Sequence, residues 1–148
     1  MPTQLACDFR AELDRLRAAL LALPPSLADI PWRPGGWTRK QIVGHLIDSA
    51  TNNRQRFVRA AIDGAYAGPG YAQDDWVLAH GYGSQQWDTL LRWWQTENEI
   101  LMAAVDQIPE DRLASSCVVG SDAPVTLRFL IEDYLRHHQH HFKQLQAS

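Results

Sequence analysis

The sequence predicts an all-α protein, a four-helix bundle with long inter-helix connections. Three observations lead there. Apolar residues recur at steps of three and four in four separate segments, proline and glycine break the stretches between them, and no alternating pair of runs offers a hairpin. With 148 residues, 45% hydrophobic and 21% charged, the chain has the size and composition of one globular unit, so a single domain over residues 1–148 is expected.

The first helix is marked by Leu5, Phe9, Leu13, Leu16, Leu20 and Leu23, and Pro24-Pro25 stops it. A turn-rich stretch through Pro31, Pro34, Gly35 and Gly36 follows. Thr38 and Gln41 have capping-box spacing, so a second helix starts there. It runs through Ile42, Leu46, Ala50, Phe57 and Ala61 and ends near Gly64. The tract GAYAGPGYAQDDWVLAHGYG, 64–83, is expected to be a loop, and Ser84 to cap a third helix carrying Trp87, Leu90, Leu91, Trp94, Leu101 and Val105. Pro109 closes that helix, and 114–126 is too broken to assign. The fourth helix begins near Thr126 and uses Leu127, Leu130, Ile131, Tyr134 and Leu135.

A net charge of −3, with both signs interspersed, leaves no basic footprint for nucleic acid or an anionic membrane surface. No run approaches the ~20 apolar residues of a membrane span. The opening MPTQLACDFRAELDRLRAALLAL is charged through its first half, unlike a secretory leader. A cytoplasmic protein with no nucleic-acid or membrane partner is therefore expected. Cys7 and Cys117 fit neither a disulfide framework nor a zinc ribbon and are expected to be buried free thiols. Trp93 and Trp94 suit either a dimer face or the core.

On a helical wheel the hydrophobes of the second helix gather on one side, and His45, Ser49, Asn52 and Arg56 share an adjoining face. A solvated face usually carries Lys and Glu; this set suits the lining of a polar cavity, and ordinary surface polarity produces such a set as well. In YLRHHQHHFKQL, 134–145, four of the six histidines occupy five positions. His137 and His141 lie one turn apart, and His138 and His141 three residues apart, so geometry permits either pair. His140 points to solvent, and His80, in a glycine-flanked loop, is expected to be incidental. Two imidazoles make a weak metal site and three a good one, with His45 the natural third. Zinc or nickel suits such donors. The bland alternative is a set of hydrogen-bonded or dipole-stabilised histidines.

RPGGWTRKQIVGHLIDSATNNRQRF resembles the signature region of the DinB/YfiT-like superfamily, and HHQHHFKQL resembles its histidine-rich final helix. YAQDDW and DQIPEDRL are similar to further segments of the family, so the likeness spans nearly the whole chain. The resemblance implies a four-helix bundle, often a homodimer, holding one divalent metal ion through His45, His137 and His141. It selects His137 over His138, which becomes a supporting residue, and gives Gln144 no ligand role. The activity it implies is a metal-dependent hydrolase, or a transferase using a low-molecular-weight thiol. Asn52 and Arg56 are expected to contact a small-molecule substrate, Arg56 being suited to an anionic group. Asp48 and Ser49 are candidates to stand behind the ligands, with solvent exposure an equal expectation for Asp48. Tyr71, Asp75 and Trp76 belong to a lid or to a packed loop.

Overall fold

Hydroxyl caps open three of the four long helices. In the computed structural model, which describes residues 1–148, the elements are α1 (Gln4–Leu21), α2 (Arg39–Asp63), β1 (Ala65–Gly68), α3 (Gln73–His80), α4 (Trp87–Asp106), β2 (Ser116–Val119), β3 (Val125–Thr126) and α5 (Leu127–Leu145). Thr3 accepts from Ala6 N, Thr126 accepts from Phe129 N, and Thr38 with Gln41 forms a reciprocal capping box. Gly64, at φ 76°, ends α2 in the left-handed conformation that favours glycine.

The bundle has α1 and α2 diagonally opposed, each packed against both α4 and α5. Consecutive helices that are not neighbours need a long connection, which the proline- and glycine-rich stretch before Thr38 supplies. The core is continuous: Phe9, Leu13, Ile42, Leu46, Phe57, Leu90, Trp94, Leu101 and Ile131 are all at most 1% exposed. No helix is long and apolar enough to cross a membrane.

Four features depart from the sequence reading. The tract expected to be a loop, 64–83, and the unassigned tract 114–126 contribute a three-stranded sheet, with β1 parallel to β2 and β2 antiparallel to β3. Strands of four and two residues are too short to show alternation, and β1 and β2 pair across about fifty residues of chain (Ala65↔Ser116). The sheet joins the end of α2 to the start of α5, which fixes those helices antiparallel. The glycine-rich tract also folds into α3, and Ser84 lies in a 3-10 turn, leaving Gln86 at the cap of α4. Cys7 is exposed, one step off the apolar stripe, while Cys117 is buried in β2. The adjacent tryptophans divide: Trp94 is in the core and Trp93 is 38% exposed.

Candidate metal centre

His45 sits in the second turn of α2, and His137 and His141 sit one turn apart near the end of α5. Antiparallel packing brings these ends together. Arg39, 2% exposed, clamps them: its guanidinium donates to the carbonyls of Ile30 and Pro31 (3.1 and 2.8 Å) and to those of Leu145 and Ala147 (3.3 and 2.5 Å). Gly44, beside His45, admits a second support. A Cβ there would lie 2.1 Å from the Tyr82 ring, so only glycine lets that ring close over α2.

The three imidazoles converge. His45 Nε2 and His141 Nε2 lie 3.0 and 3.1 Å from His137 Nε2, and all three ligand atoms fall within 4.8 Å of one another. Two nitrogens bonded at about 2.1 Å to one ion, at a right angle, stand roughly 3 Å apart. The tautomers fit as well. His141 Nδ1 donates to Gln144 Oε1 (2.7 Å), which leaves the His141 Nε2 lone pair facing inward. A proton on His137 Nε2 can satisfy only one of its two close neighbours, whereas a cation satisfies all three. The donor set therefore fits a divalent ion.

Burial, followed by the neighbouring His141 and His137, lowers the His45 pKa from 6.5 to about 3. Burial, then His141 and His140, lowers that of His137 to about 4. Burial lowers that of His141 too, partly offset by Gln144. All three are neutral at pH 7, the form that binds metals. Trp37 stands over the cluster, its ring 5.0 Å from that of His45 and 6.3 Å from that of His141.

A cavity of about 370 Å³ begins at His137 and is lined by Ser49, Asn53, Arg56 and Tyr71 among others. Ser49 Oγ lies 3.5 Å from His137 Nδ1 and accepts from Asn53 Nδ2 (3.2 Å). Burial is the main cause that pushes the Tyr71 phenol up to about 12, so it meets the cavity as a neutral donor. A second cavity, about 610 Å³, adjoins the first across Arg56, Gly70 and Tyr71.

Other residues singled out from sequence go to different places. Asn52 donates to the Asp48 carbonyl (2.9 Å) and lines the second cavity; Asn53, which the wheel did not single out, lines the first. Asp48 is neither exposed nor bonded to a histidine of the cluster. It is 2% exposed, accepts from the Tyr82 hydroxyl (2.6 Å) and lies 3.2 Å from His80 Nδ1, which gives His80 a structural partner. Trp76 and Tyr71 pack ring to ring at 5.0 Å, with Trp76 on α3 and Tyr71 just before it, while Asp75 is exposed. His138 turns into the core and accepts from Trp94 Nε1 (3.3 Å). Beside it the Tyr134 hydroxyl donates to Asn98 Oδ1, and Asn98 Nδ2 donates to the Trp94 carbonyl (2.9 Å). This buried string sets the rotation of α5 that aims His137 and His141 at α2. Gln144, given no role from sequence, holds the His141 tautomer. The clue available was its spacing of three from His141.

The profile of the DinB superfamily matches residues 8–145. A proposed metal-dependent hydrolase of Oceanobacillus iheyensis is 23% identical over 117 residues, covering 79% of this chain and 67% of the relative. Another, from Geobacillus thermodenitrificans, is 26% identical over 137 residues, 90% of this chain and 76% of the relative. Among solved structures, YfiT of Bacillus subtilis, a proposed metal-dependent hydrolase with an unusual four-helix bundle topology, superposes with a TM-score of 0.84 at 21% identity. That match covers 98% of this chain and 86% of YfiT. The mycothiol-dependent maleylpyruvate isomerase superposes with a TM-score of 0.79 at 15% identity, covering 97% of this chain and 60% of the isomerase. Both structural likenesses are likenesses of fold.

Proposed function

The chain belongs to the DinB superfamily, and we propose that it is a metal-dependent enzyme whose divalent ion is held by His45, His137 and His141. The observation that carries this reading is the convergence of three neutral imidazoles beside a cavity. A three-histidine set adds no negative charge, so the bound ion supplies a Lewis acid able to ionise water or a thiol near neutral pH. Zinc and nickel are the ions we favour, since both accept imidazole.

The chain's own groups divide the remaining work. Gln144 and Ser49 hold the outer nitrogens of His141 and His137 and so keep the inner ones aimed at a common point. Trp37 shields the cluster on one side, and the cavity gives a small substrate access on another. Tyr71 offers a phenolic proton to substrate, while Arg56 and Asn53 bind and orient it, with Asn52 contributing from the second cavity.

Hydrolysis is our first reading, in line with the curated relatives. The fold shared with the mycothiol-dependent isomerase supports a thiol-transfer alternative, for which a small molecule must bring the thiol, because neither Cys7 nor Cys117 lines the cavity. A non-catalytic metal-binding role is favoured less, since the cluster has three members rather than four and a cavity adjoins it. We also read the protein as a cytoplasmic homodimer; sedimentation of the purified chain tests the assembly.

The decisive experiment is metal analysis of untagged protein beside His45→Ala and His141→Ala. One ion per wild-type chain and none in either variant is expected. Wild type that neither carries nor takes up metal sinks the reading.

A further inference from the structure

Arg56 is the one buried cation of α2 left with neither a counter-ion nor a set of close carbonyl acceptors, since Arg39 has four. It is 9% exposed, it takes part in none of the chain's ion pairs, and its single hydrogen bond is a long one to the Pro69 carbonyl (3.5 Å). Withdrawing a guanidinium from water without a partner is costly, and its planar fork matches an oxyanion with two acceptor atoms. The side chain lines both cavities, so it stands where a ligand in either one meets it.

We propose that Arg56 forms a carboxylate-binding subsite, and that the substrate of the histidine centre is a small molecule with one carboxylate set several bonds from its reacting group. This deepens the metal-enzyme reading above and rests on it for the word substrate. The separation follows from the helix. Ser49, which faces His137, precedes Arg56 by seven residues, and seven residues of helix span about 10 Å. A single negative charge follows from the wall of the first cavity. Arg56 is its only Arg or Lys, while Asp122 and Asp133 line the same space, so a phosphate dianion meets more repulsion there than a carboxylate does. Between the two ends, Val125, Phe129 and Leu130 give the cavity an apolar side that suits a hydrocarbon spacer.

Calorimetric titration with hexanoate tests the subsite, with hexanamide and inorganic phosphate as controls and metal content measured on every sample. Hexanoate is expected to bind metal-loaded wild type and metal-free His45→Ala with similar affinity. Arg56→Gln is expected to weaken it by about tenfold or more. Arg56→Lys keeps the charge without the fork; it is expected to fall between the two, and it carries the test if the Gln variant does not fold. Hexanamide and phosphate are expected to bind more weakly than hexanoate. Four results overturn the proposal: no hexanoate binding to wild type, binding indifferent to Arg56, binding lost in His45→Ala, or phosphate or hexanamide binding at least as tightly. Metal loading without hexanoate binding removes only the subsite; hexanoate binding to a chain that takes up no metal removes only the metal centre.

Discussion

Arg39 and Arg56 are both buried on α2, nearly five turns apart, and the fold treats them in opposite ways. At the first, four backbone carbonyls from the loop before α2 and from the end of α5 surround the guanidinium. At the second, one distant carbonyl is all the protein provides, and two cavities adjoin. Buried charge is common to both; satisfaction is not. The first is a clamp that holds the ends of α2 and α5 together around the histidines. The second is a charge held ready beside a space where something else can bind.

The contrast can be broken in several ways. The largest effect is expected on metal content: His45→Ala, close to the clamped end, takes it from one ion per chain to none. The variant unfolds at a lower denaturant midpoint than metal-loaded wild type, which the bound ion stabilises, and nearer the midpoint of metal-free wild type. Next comes stability. Arg39→Ala leaves the carbonyls of Leu145 and Ala147 without their donor and is expected to cost about 3 kcal/mol in urea unfolding. Arg56→Ala is expected to cost less than about 1 kcal/mol, because a poorly compensated buried charge leaves with it. Equal losses at the two positions contradict the assignment of clamp and ligand anchor.

A smaller effect sharpens the histidine end. Gln144→Leu removes the acceptor from His141 Nδ1 and is expected to weaken metal binding roughly tenfold, with stability unchanged. An equilibrium competition with a chelator measures it. The most gradual effect is that of pH on the metal-free chain. His45 and His137 titrate at about 3 and about 4 when folded, against 6.5 ordinarily, so between these values the unfolded chain binds more protons. Stability is then full above pH 6.5 and declines as pH falls through that window. His45→Ala flattens the slope, and Arg56→Ala leaves it unchanged. Urea midpoints from pH 7.5 to 4.5 give both slopes.

Much of this arrangement is legible along the chain, and the parts that are not share a character. Thr38 and Gln41 announce the start of α2 because a capping box is made within four residues. His137 and His141 announce themselves as a pair because one helical turn separates them. On the wheel His138 lies nearest the centre of the apolar stripe and His137 on its flank, which leaves the ligand pair open; in the core Trp94 and Tyr134 receive His138. Asn53 rather than Asn52 lines the inner cavity, a shift of one residue that a wheel does not resolve. The short strands β1 and β2 escaped notice because each is stabilised by a partner far away in sequence.

The sequence by itself determined the four long helices, the capping box at Thr38, the proline and glycine breaks, and which histidines share a turn, since these depend on contacts a few residues long. Only the tertiary structure decided which arginine is satisfied, why residue 44 is glycine, and that His45 meets the final helix at hydrogen-bonding distance. Periodicity gives the phase of residues around one axis. The rotation and offset between two axes come from the packing of the whole core, and the chemistry of this site lies in that offset.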